Sequence, residues 1–212
     1  MRIVVTRPEA EAGELTARLE ALGHEVIVCP LIAIEPLDGA PIDVAAYDWV
    51  LVTSRNGAEQ LLRRRRGTLP RVAAIGPGTA EALAAGGVRA DLVPRVSTQE
   101  GLLAELPRRA GRVLFAGAEG ARRLLVDRLG ADFVALYRTV ALDPDSPPRG
   151  DLAVLTSASA ARSFASLDLD MPAVSIGPQT TKAAAAAGVK VVAEAETHDV
   201  CGLIAAIGQV TS

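Results

Sequence analysis

Residues 74–88 read AIGPGTAEALAAGGV, and residues 175–189 read SIGPQTTKAAAAAGV. The two copies lie 101 residues apart and share nine of fifteen positions. Each predicts a strand end, a Gly-Pro-x-Thr turn, an Ala-rich helix and a Gly-Val exit. A glycine-containing turn that opens a helix presents free N–H groups and the positive end of the helix dipole, which attract anions. Two copies predict a ligand with more than one negative group, although Gly-Pro also starts helices that bind nothing.

The rest of the chain follows the same duplication. Strand-like and helix-like segments alternate, and the pattern restarts at Arg112. The segment 50–58 (VLVTSRNGA) is repeated at 153–161 (AVLTSASAA), and Gly101-Leu102 is repeated at Gly202-Leu203. Apolar strands that alternate with helices are typical of parallel sheets. The sequence therefore predicts an α/β fold of two similar five-stranded units, with helices on both faces of each parallel sheet.

Two segments rich in Pro, Asp and Gly, near 35–41 and 143–149, have the composition of linkers. Both fall between the second and third predicted strands of their repeat. This equivalence predicts exchanged halves, with a discontinuous α/β domain of 1–36 plus 150–212 and a continuous domain of 37–142. The two linkers would then lie side by side as a hinge. The alternative is two sequential domains divided near residue 108.

Composition and charge narrow the class of protein. Half of the 212 residues are hydrophobic, and the formal net charge is −3, which argues against broad nucleic-acid or membrane-surface binding. No apolar run approaches the ~20 residues of a membrane span. The chain opens on a strand-like segment rather than a signal peptide, and Cys29 and Cys201 have no CxxC partner, so we expect a cytoplasmic protein. His24 and His198 are isolated, and no metal site is expected.

Six strand–helix junctions carry the polar residues of the predicted site. Ligands of open parallel sheets bind at the carboxyl ends of the strands. If two domains face each other, these junctions line one cleft that is rich in N–H groups and hydroxyls, which suits a polycarboxylate or a phosphate. The junctions are Thr6-Arg7-Pro8, Thr53-Ser54-Arg55-Asn56, Gly76-Pro77-Gly78-Thr79, Gly117-Ala118-Glu119-Gly120, Thr156-Ser157-Ala158-Ser159 and Gly177-Pro178-Gln179-Thr180.

Several motifs of catalysis and nucleotide binding do not occur in the sequence. No His–carboxylate pairing lies near the junctions, which argues against a hydrolase triad. Neither GxGxxG nor GxxxxGKS/T is present, which argues against dinucleotide and nucleoside triphosphate binding. Tyr137 is the phenol next to the predicted hinge, and Arg138 follows it. Tyr137 is either a hydrogen-bond donor or acid in the cleft, or a buried structural tyrosine.

The order and spacing of these motifs resemble the uroporphyrinogen-III synthase family over essentially the full chain. The resemblance implies two flavodoxin-like domains joined by a two-stranded hinge, as in HemD proteins, and no metal or organic cofactor. It implies that hydroxymethylbilane, a linear tetrapyrrole with eight carboxylates, is cyclised to uroporphyrinogen III with inversion of the last pyrrole ring and loss of water. The matching segments are VTRP (5–8), Cys29-Pro30-Leu31, VTSRNGAEQL (52–61), AIGPGTAEAL (74–83), residues 93–103, LYRT (136–139), LTSASAARSF (155–164) and SIGPQTTKAA (175–184).

The resemblance also implies roles for single residues at the matching positions. It implies that Tyr137 helps the substrate hydroxyl to leave, as an acid or a hydrogen-bond donor. It implies that Thr79 and Thr180 of the two Gly-Pro-x-Thr turns bind substrate carboxylates. Gln179 stands where a threonine is frequent in the family, so no role is carried over to it. The other predicted substrate-binding residues are Thr6, Arg7, Thr53, Ser54, Asn56, Gly76, Gly78, Arg138, Thr156, Ser157, Ser159 and Gly177.

A second class of function fits the same residues. A non-catalytic two-domain protein that closes around a polyanionic small molecule explains the duplication, the hinge and the N–H-rich junctions equally well, but it gives Tyr137 no role. For the synthase we expect a monomer, because two domains already build the cleft. We also expect hydroxymethylbilane as substrate, no nucleic-acid or membrane partner, and a transient contact with the preceding enzyme of the pathway.

Overall fold

The structure is a computed structural model that describes residues 1–211. Residue 212, the last of the predicted discontinuous domain, lies outside the described residues. The chain divides into two compact units. Met1–Ala33 and the chain from Val140 onward form the discontinuous unit, and Ile34–Thr139 forms the continuous unit. Each is built around a five-stranded sheet.

The strands and helices alternate along most of the chain. The strands are β1 (Arg2–Val5), β2 (Glu25–Val28), β3 (Ile32–Pro36), β4 (Ile42–Asp43), β5 (Trp49–Val52), β6 (Arg65–Arg66), β7 (Arg71–Ala74), β8 (Val113–Ala118), β9 (Asp132–Ala141), β10 (Leu152–Leu155), β11 (Ala173–Ser175) and β12 (Val191–Glu194). The helices are α1 (Glu9–Ala21), α2 (Arg55–Arg64), α3 (Pro77–Ala85), α4 (Gln99–Glu105), α5 (Leu124–Leu129), α6 (Ala158–Ala165), α7 (Pro178–Ala186) and α8 (Val200–Thr211). None of these helices of the described residues is long and apolar enough to cross a membrane.

The sheet of the discontinuous unit has the order β12-β11-β10-β1-β2, and all of its strands are parallel. Successive residues of a strand point to opposite faces. Ile3 therefore packs with Leu15 of α1 and Leu203 of α8, whereas Val4 packs on the other face with Phe164 of α6. Helices thus cover both faces, which is why β1 and β10 are apolar throughout their central residues.

The sheet of the continuous unit has the order β3-β9-β8-β5-β7, with parallel pairs from β9 to β7. Helices α2 and α3 pack on one face, through Leu61 and Leu83, and helices α4 and α5 on the other, through Leu102 and Leu125. The chain passes between the units in β3 and β9, which are neighbours in this sheet. The predicted α/β class with parallel sheets is confirmed.

Three local features differ from the sequence pattern. The pattern predicts a fifth strand near 91–93, but only an isolated bridge joins Leu92 to Ala73. It predicts Ser97 as the cap of α4, but Thr98 is the cap and accepts a hydrogen bond from the Gly101 N–H at 3.0 Å. It predicts a solvated helix end over 63–66, but Arg65–Arg66 turns extended and pairs with β4.

Candidate active site

The hydroxyls of Tyr137 and Ser54 lie 2.8 Å apart at the carboxyl ends of the strands in the continuous unit. Tyr137 belongs to β9 and is 7% exposed. Ser54 follows β5 and caps α2, because its Oγ accepts a hydrogen bond from the Gly57 N–H at 2.9 Å. The buried phenol is therefore held against the start of a helix. Either hydroxyl of the pair can be the donor, because each carries one O–H and lone pairs that accept.

The first Gly-Pro-x-Thr turn starts α3 in the same unit. Gly76 is the N-cap, and the Thr79 N–H donates to the Gly76 carbonyl at 3.1 Å. A Cβ at Gly76 would lie only 2.5 Å from Oγ of Ser97, so glycine lets the loop before α4 pack against the turn. Thr79 is buried, with 5% exposure. Gly78 is the second residue of α3, and the N–H at that position of a helix has no acceptor within the helix. This N–H is therefore suited to bind an anion.

The second Gly-Pro-x-Thr turn is built in the same way in the discontinuous unit. Gly177 is the N-cap of α7, and the Thr180 N–H donates to the Gly177 carbonyl at 3.0 Å. A Cβ at Gly177 would lie 2.7 Å from Cδ2 and Nε2 of His198, so the imidazole occupies the place that Ser97 takes in the first copy. Thr180 is 4% exposed. The two turns share one construction but differ in the side chain that packs against them.

The other predicted residues of the discontinuous unit lie around the carboxyl ends of β1 and β10. Thr6 is fully buried, and its hydroxyl donates to the Val154 carbonyl at 2.8 Å. Arg7 pairs with Glu11 at 3.4 Å and is mostly covered. Ser157, after Thr156, caps α6 by accepting from the Ala160 N–H at 3.0 Å, and the Ser159 hydroxyl accepts from Arg162. The hydroxyls of Thr6, Ser157 and Ser159 therefore already have protein partners.

The remaining predicted residues of the continuous unit differ in their exposure. Thr53 and Asn56 flank the Ser54–Arg55 step and are half-buried. Arg138 is exposed and pairs with Glu35 at 2.8 Å. The hydrogen bond that Arg138 donates to that carboxylate raises the pKa of its guanidinium, so the side chain stays charged. Among residues 1–211, no three His, Cys, Asp or Glu side chains lie where they could hold a metal ion.

In the sequence, Ser97 and His198 stand outside the predicted junctions and Arg55 stands inside one without an assigned role, although the structure places each of them against a Gly-Pro-x-Thr turn. For Ser97 and His198 a signal was present, because they are separated by the same 101 residues as the two turns. The duplication does not mark Arg55 in this way, because its counterpart in the second copy is Ala158, and only its place in the junction 53–56 pointed to the site.

Comparison with known proteins gives one family. Residues 13–205 match the family model of uroporphyrinogen-III synthase HemD. A porphyrin biosynthesis protein HemD from Ruminiclostridium josui is 30% identical over 93% of this chain, which spans only 46% of that protein. A uroporphyrinogen-III synthase from Synechococcus elongatus is 28% identical over 98% of this chain and 94% of its own length.

Two solved structures have the same fold. A mutant uroporphyrinogen III synthase from the extremely thermophilic bacterium Thermus thermophilus has a TM-score of 0.68 at 19% identity, with 100% of this chain and 98% of that chain covered. The uroporphyrinogen-III synthetase from Helicobacter pylori 26695 has a TM-score of 0.65 at 15% identity, with 99% and 100% covered. At these identities the likeness shows the fold alone. Because the family model covers residues 13–205, the chain belongs to the uroporphyrinogen-III synthase family.

Proposed function

We propose that this chain is a lyase that cyclises hydroxymethylbilane to uroporphyrinogen III in heme biosynthesis. The observation that carries the proposal is the Tyr137–Ser54 hydroxyl pair, 2.8 Å apart, at the carboxyl edge of a sheet in a chain of this family. A non-catalytic binding protein for the same polyanion explains the anion-attracting turns but gives no reason to hold a phenol there. The synthase uses both features.

Tyr137 is the proposed acid or hydrogen-bond donor for the step that loses water. The hydroxyl on the first ring leaves with a proton as water, and an electrophilic azafulvene is left behind. The last ring then attacks through the carbon that already carries its substituent, giving a spiro intermediate that reopens and recloses with that ring inverted. A final proton loss from carbon restores the aromatic pyrrole. A phenol within hydrogen-bond distance of the leaving hydroxyl stabilises its departure.

The inverted product is selected by the way in which the protein positions the two ends of the substrate. The azafulvene closes without an enzyme to the uninverted isomer, so the protein must make the other closure faster. A preference of about 100:1 requires only about 2.7 kcal/mol between the two transition states. Backbone N–H groups at helix starts can clamp carboxylates without many specific side chains. The proposed binding residues are Thr6, Arg7, Thr53, Ser54, Asn56, Gly76, Gly78, Thr79, Arg138, Thr156, Ser157, Ser159, Gly177 and Thr180.

The compartment and the oligomeric state of the protein are part of the same proposal. We infer a cytoplasmic monomer that meets the preceding enzyme of the pathway only transiently. Four of the proposed hydroxyls have protein partners here, those of Thr6, Ser54, Ser157 and Ser159. We propose that these hydroxyls stabilise the conformation of the strand–helix junctions, while neighbouring backbone N–H groups contact the substrate carboxylates. That both edges bind one substrate molecule stays a prediction.

The test is conversion of freshly generated hydroxymethylbilane by the purified chain. The porphyrinogen products are oxidised and separated by chromatography into the two isomers. We expect the inverted isomer, formed faster than the spontaneous closure. If only the uninverted isomer forms, at the spontaneous rate, the synthase proposal is wrong. Tight binding of hydroxymethylbilane without conversion would support the binding protein instead.

A further inference from the structure

Arg55 is held over the first Gly-Pro-x-Thr turn. It is the first residue of α2 and directly follows Ser54, whose hydroxyl contacts Tyr137. A Cβ at Gly78 would lie 3.0 Å from Nε and 3.2 Å from Nη2 of Arg55, so the guanidinium lies against this glycine. Nη2 also donates to Oε2 of Glu81, on α3, at 2.6 Å. A cation is thus fixed at the start of α3 by a carboxylate of that same helix.

The pair between Arg55 and Glu81 is open to exchange. Their side chains are 56% and 67% exposed, and ion pairs of this kind contribute little free energy because water screens them. A second carboxylate that arrives at the turn can therefore displace Glu81. It would gain more than Glu81 does, since the planar guanidinium can donate two parallel hydrogen bonds to it while the helix N–H groups lie beside it.

The second copy of the turn has no such cation on α6. Ala158 stands at the position of Arg55, and Gln179 stands at the position of Gly78. Gly78 leaves room for the guanidinium, because a side chain there would meet Arg55. The absence of a side chain at Gly78 therefore allows Arg55 to lie over the turn, and this arrangement distinguishes the turn of the continuous unit from that of the discontinuous unit.

We propose that Arg55 is a substrate-binding residue that exchanges Glu81 for a carboxylate side chain of the tetrapyrrole. This role rests on the proposed function. The captured carboxylate lies at the start of α3, beside the residue that contacts Tyr137, so it holds one part of the substrate relative to the phenol. Arg55 contacts no reacting carbon, and its effect is on binding.

The test is steady-state kinetics of three variants on hydroxymethylbilane. For Arg55→Gln we expect KM to rise about fivefold while kcat stays within about twofold, because one charge-assisted contact is lost. For Glu81→Gln we expect KM to fall about twofold, since the guanidinium is free of its competitor. In the double variant the Glu81 effect should vanish, because its partner is gone.

Arg63→Gln is the matched control, since Arg63 is an exposed arginine near the other end of α2. An equal rise in KM for Arg55→Gln and Arg63→Gln would overturn the proposal in favour of a general charge effect, and so would an unchanged KM in Arg55→Gln. Arg55→Lys keeps the charge without the planar fork and should give an intermediate KM if Arg55→Gln folds poorly. Failure of the wild-type chain to make the inverted isomer would overturn the proposed function itself, which is a separate outcome.

Discussion

Tyr137 is a buried tyrosine whose hydroxyl reaches a residue of the predicted site. Its ring packs in the core beside α2 and α3, and its hydroxyl contacts Ser54. The sequence left two roles open for this phenol, a structural tyrosine or a group of the active site. The geometry makes the two compatible, because burial fixes the ring while the bonded hydroxyl stays at the strand ends. What the hydroxyl does in turnover can be separated from what the ring does in packing.

Removing only the hydroxyl makes that separation. For Tyr137→Phe we expect kcat to fall at least about tenfold, because assistance to the leaving hydroxyl is lost, while KM changes less than about twofold. The measurement is initial rate with hydroxymethylbilane. Tyr47→Phe is the control, because Tyr47 donates to Asp132 at 3.0 Å, at the start of β9 rather than at the site. Unchanged turnover in Tyr137→Phe would reject its catalytic role.

Ser54 makes two contacts, one to the start of α2 and one to Tyr137, whose effects a pair of variants can separate. Ser54→Ala and Thr98→Ala each remove an N-cap, and each should cost about 1 kcal/mol of stability in urea unfolding. Only Ser54→Ala also removes the hydroxyl that contacts Tyr137, so only that variant should lower kcat, by about threefold or more. Equal kcat in the two variants would mean that the hydroxyl pair has no part in turnover.

At the scale of the element, the alternation of strands and helices and the two Gly-Pro-x-Thr turns were predictable, because local periodicity and turn residues determine them. The contact between Tyr137 and Ser54 was not predictable. It depends on β9 lying two strands from β5, and strand order is set by packing far along the chain. The contact of Arg55 with Gly78 was not predictable either, because it depends on how α2 packs beside α3. The candidate site was therefore predictable as a set of junctions but not as a set of contacts.

The two copies also share a close approach at the start of their last helix. A Cβ at Gly101 would lie 2.0 Å from the Val96 carbonyl oxygen, and one at Gly202 would lie 2.1 Å from that of Thr197. Backbone cannot move aside as a flexible side chain can. These glycines therefore let the loop pack against the helix that follows it. The repeated Gly-Leu dipeptide marks this close approach.

A substitution within α8 tests this explanation. Gly202→Ala should destabilise the protein by about 1–3 kcal/mol, because the new methyl group meets a carbonyl oxygen. Gly208→Ala, on the same helix with nothing within 4 Å of its Cβ position, should instead stabilise it by about 0.5–1 kcal/mol. Urea unfolding of both variants is the measurement. If Gly202→Ala were as stable as Gly208→Ala, the explanation that glycine is needed at 202 because the Thr197 carbonyl lies so close would be rejected.

At the scale of the whole molecule, the charge is divided unevenly between the units. Residues 34–139 hold 15 Arg and 12 Asp or Glu, a formal charge of +3, while the rest holds 7 Lys or Arg and 13 Asp or Glu, a charge of −6. A substrate with many carboxylates is attracted by one unit and repelled by the other. The net charge of −3 therefore hides a basic unit that can draw in the polyanion.

The uneven charge predicts a salt effect on the capture of substrate. Raising the ionic strength from about 0.05 to about 0.5 M should lower kcat/KM about threefold or more, because salt screens the attraction of the continuous unit. The value of kcat should change little, since the bound substrate no longer depends on long-range attraction. Initial rates at low and saturating hydroxymethylbilane give both constants. A kcat/KM that rises with salt would show that repulsion by the acidic unit dominates.

The two passages of the chain in β3 and β9 have a consequence for synthesis on the ribosome. Strands β1 and β2 are translated before the continuous unit but belong to a sheet that also needs β10, β11 and β12, whereas the continuous unit is complete by residue 139. Domains generally fold as units during synthesis. The discontinuous unit is therefore begun before the continuous unit and completed after it, so β1 lacks its neighbour β10 until the whole continuous unit has been translated.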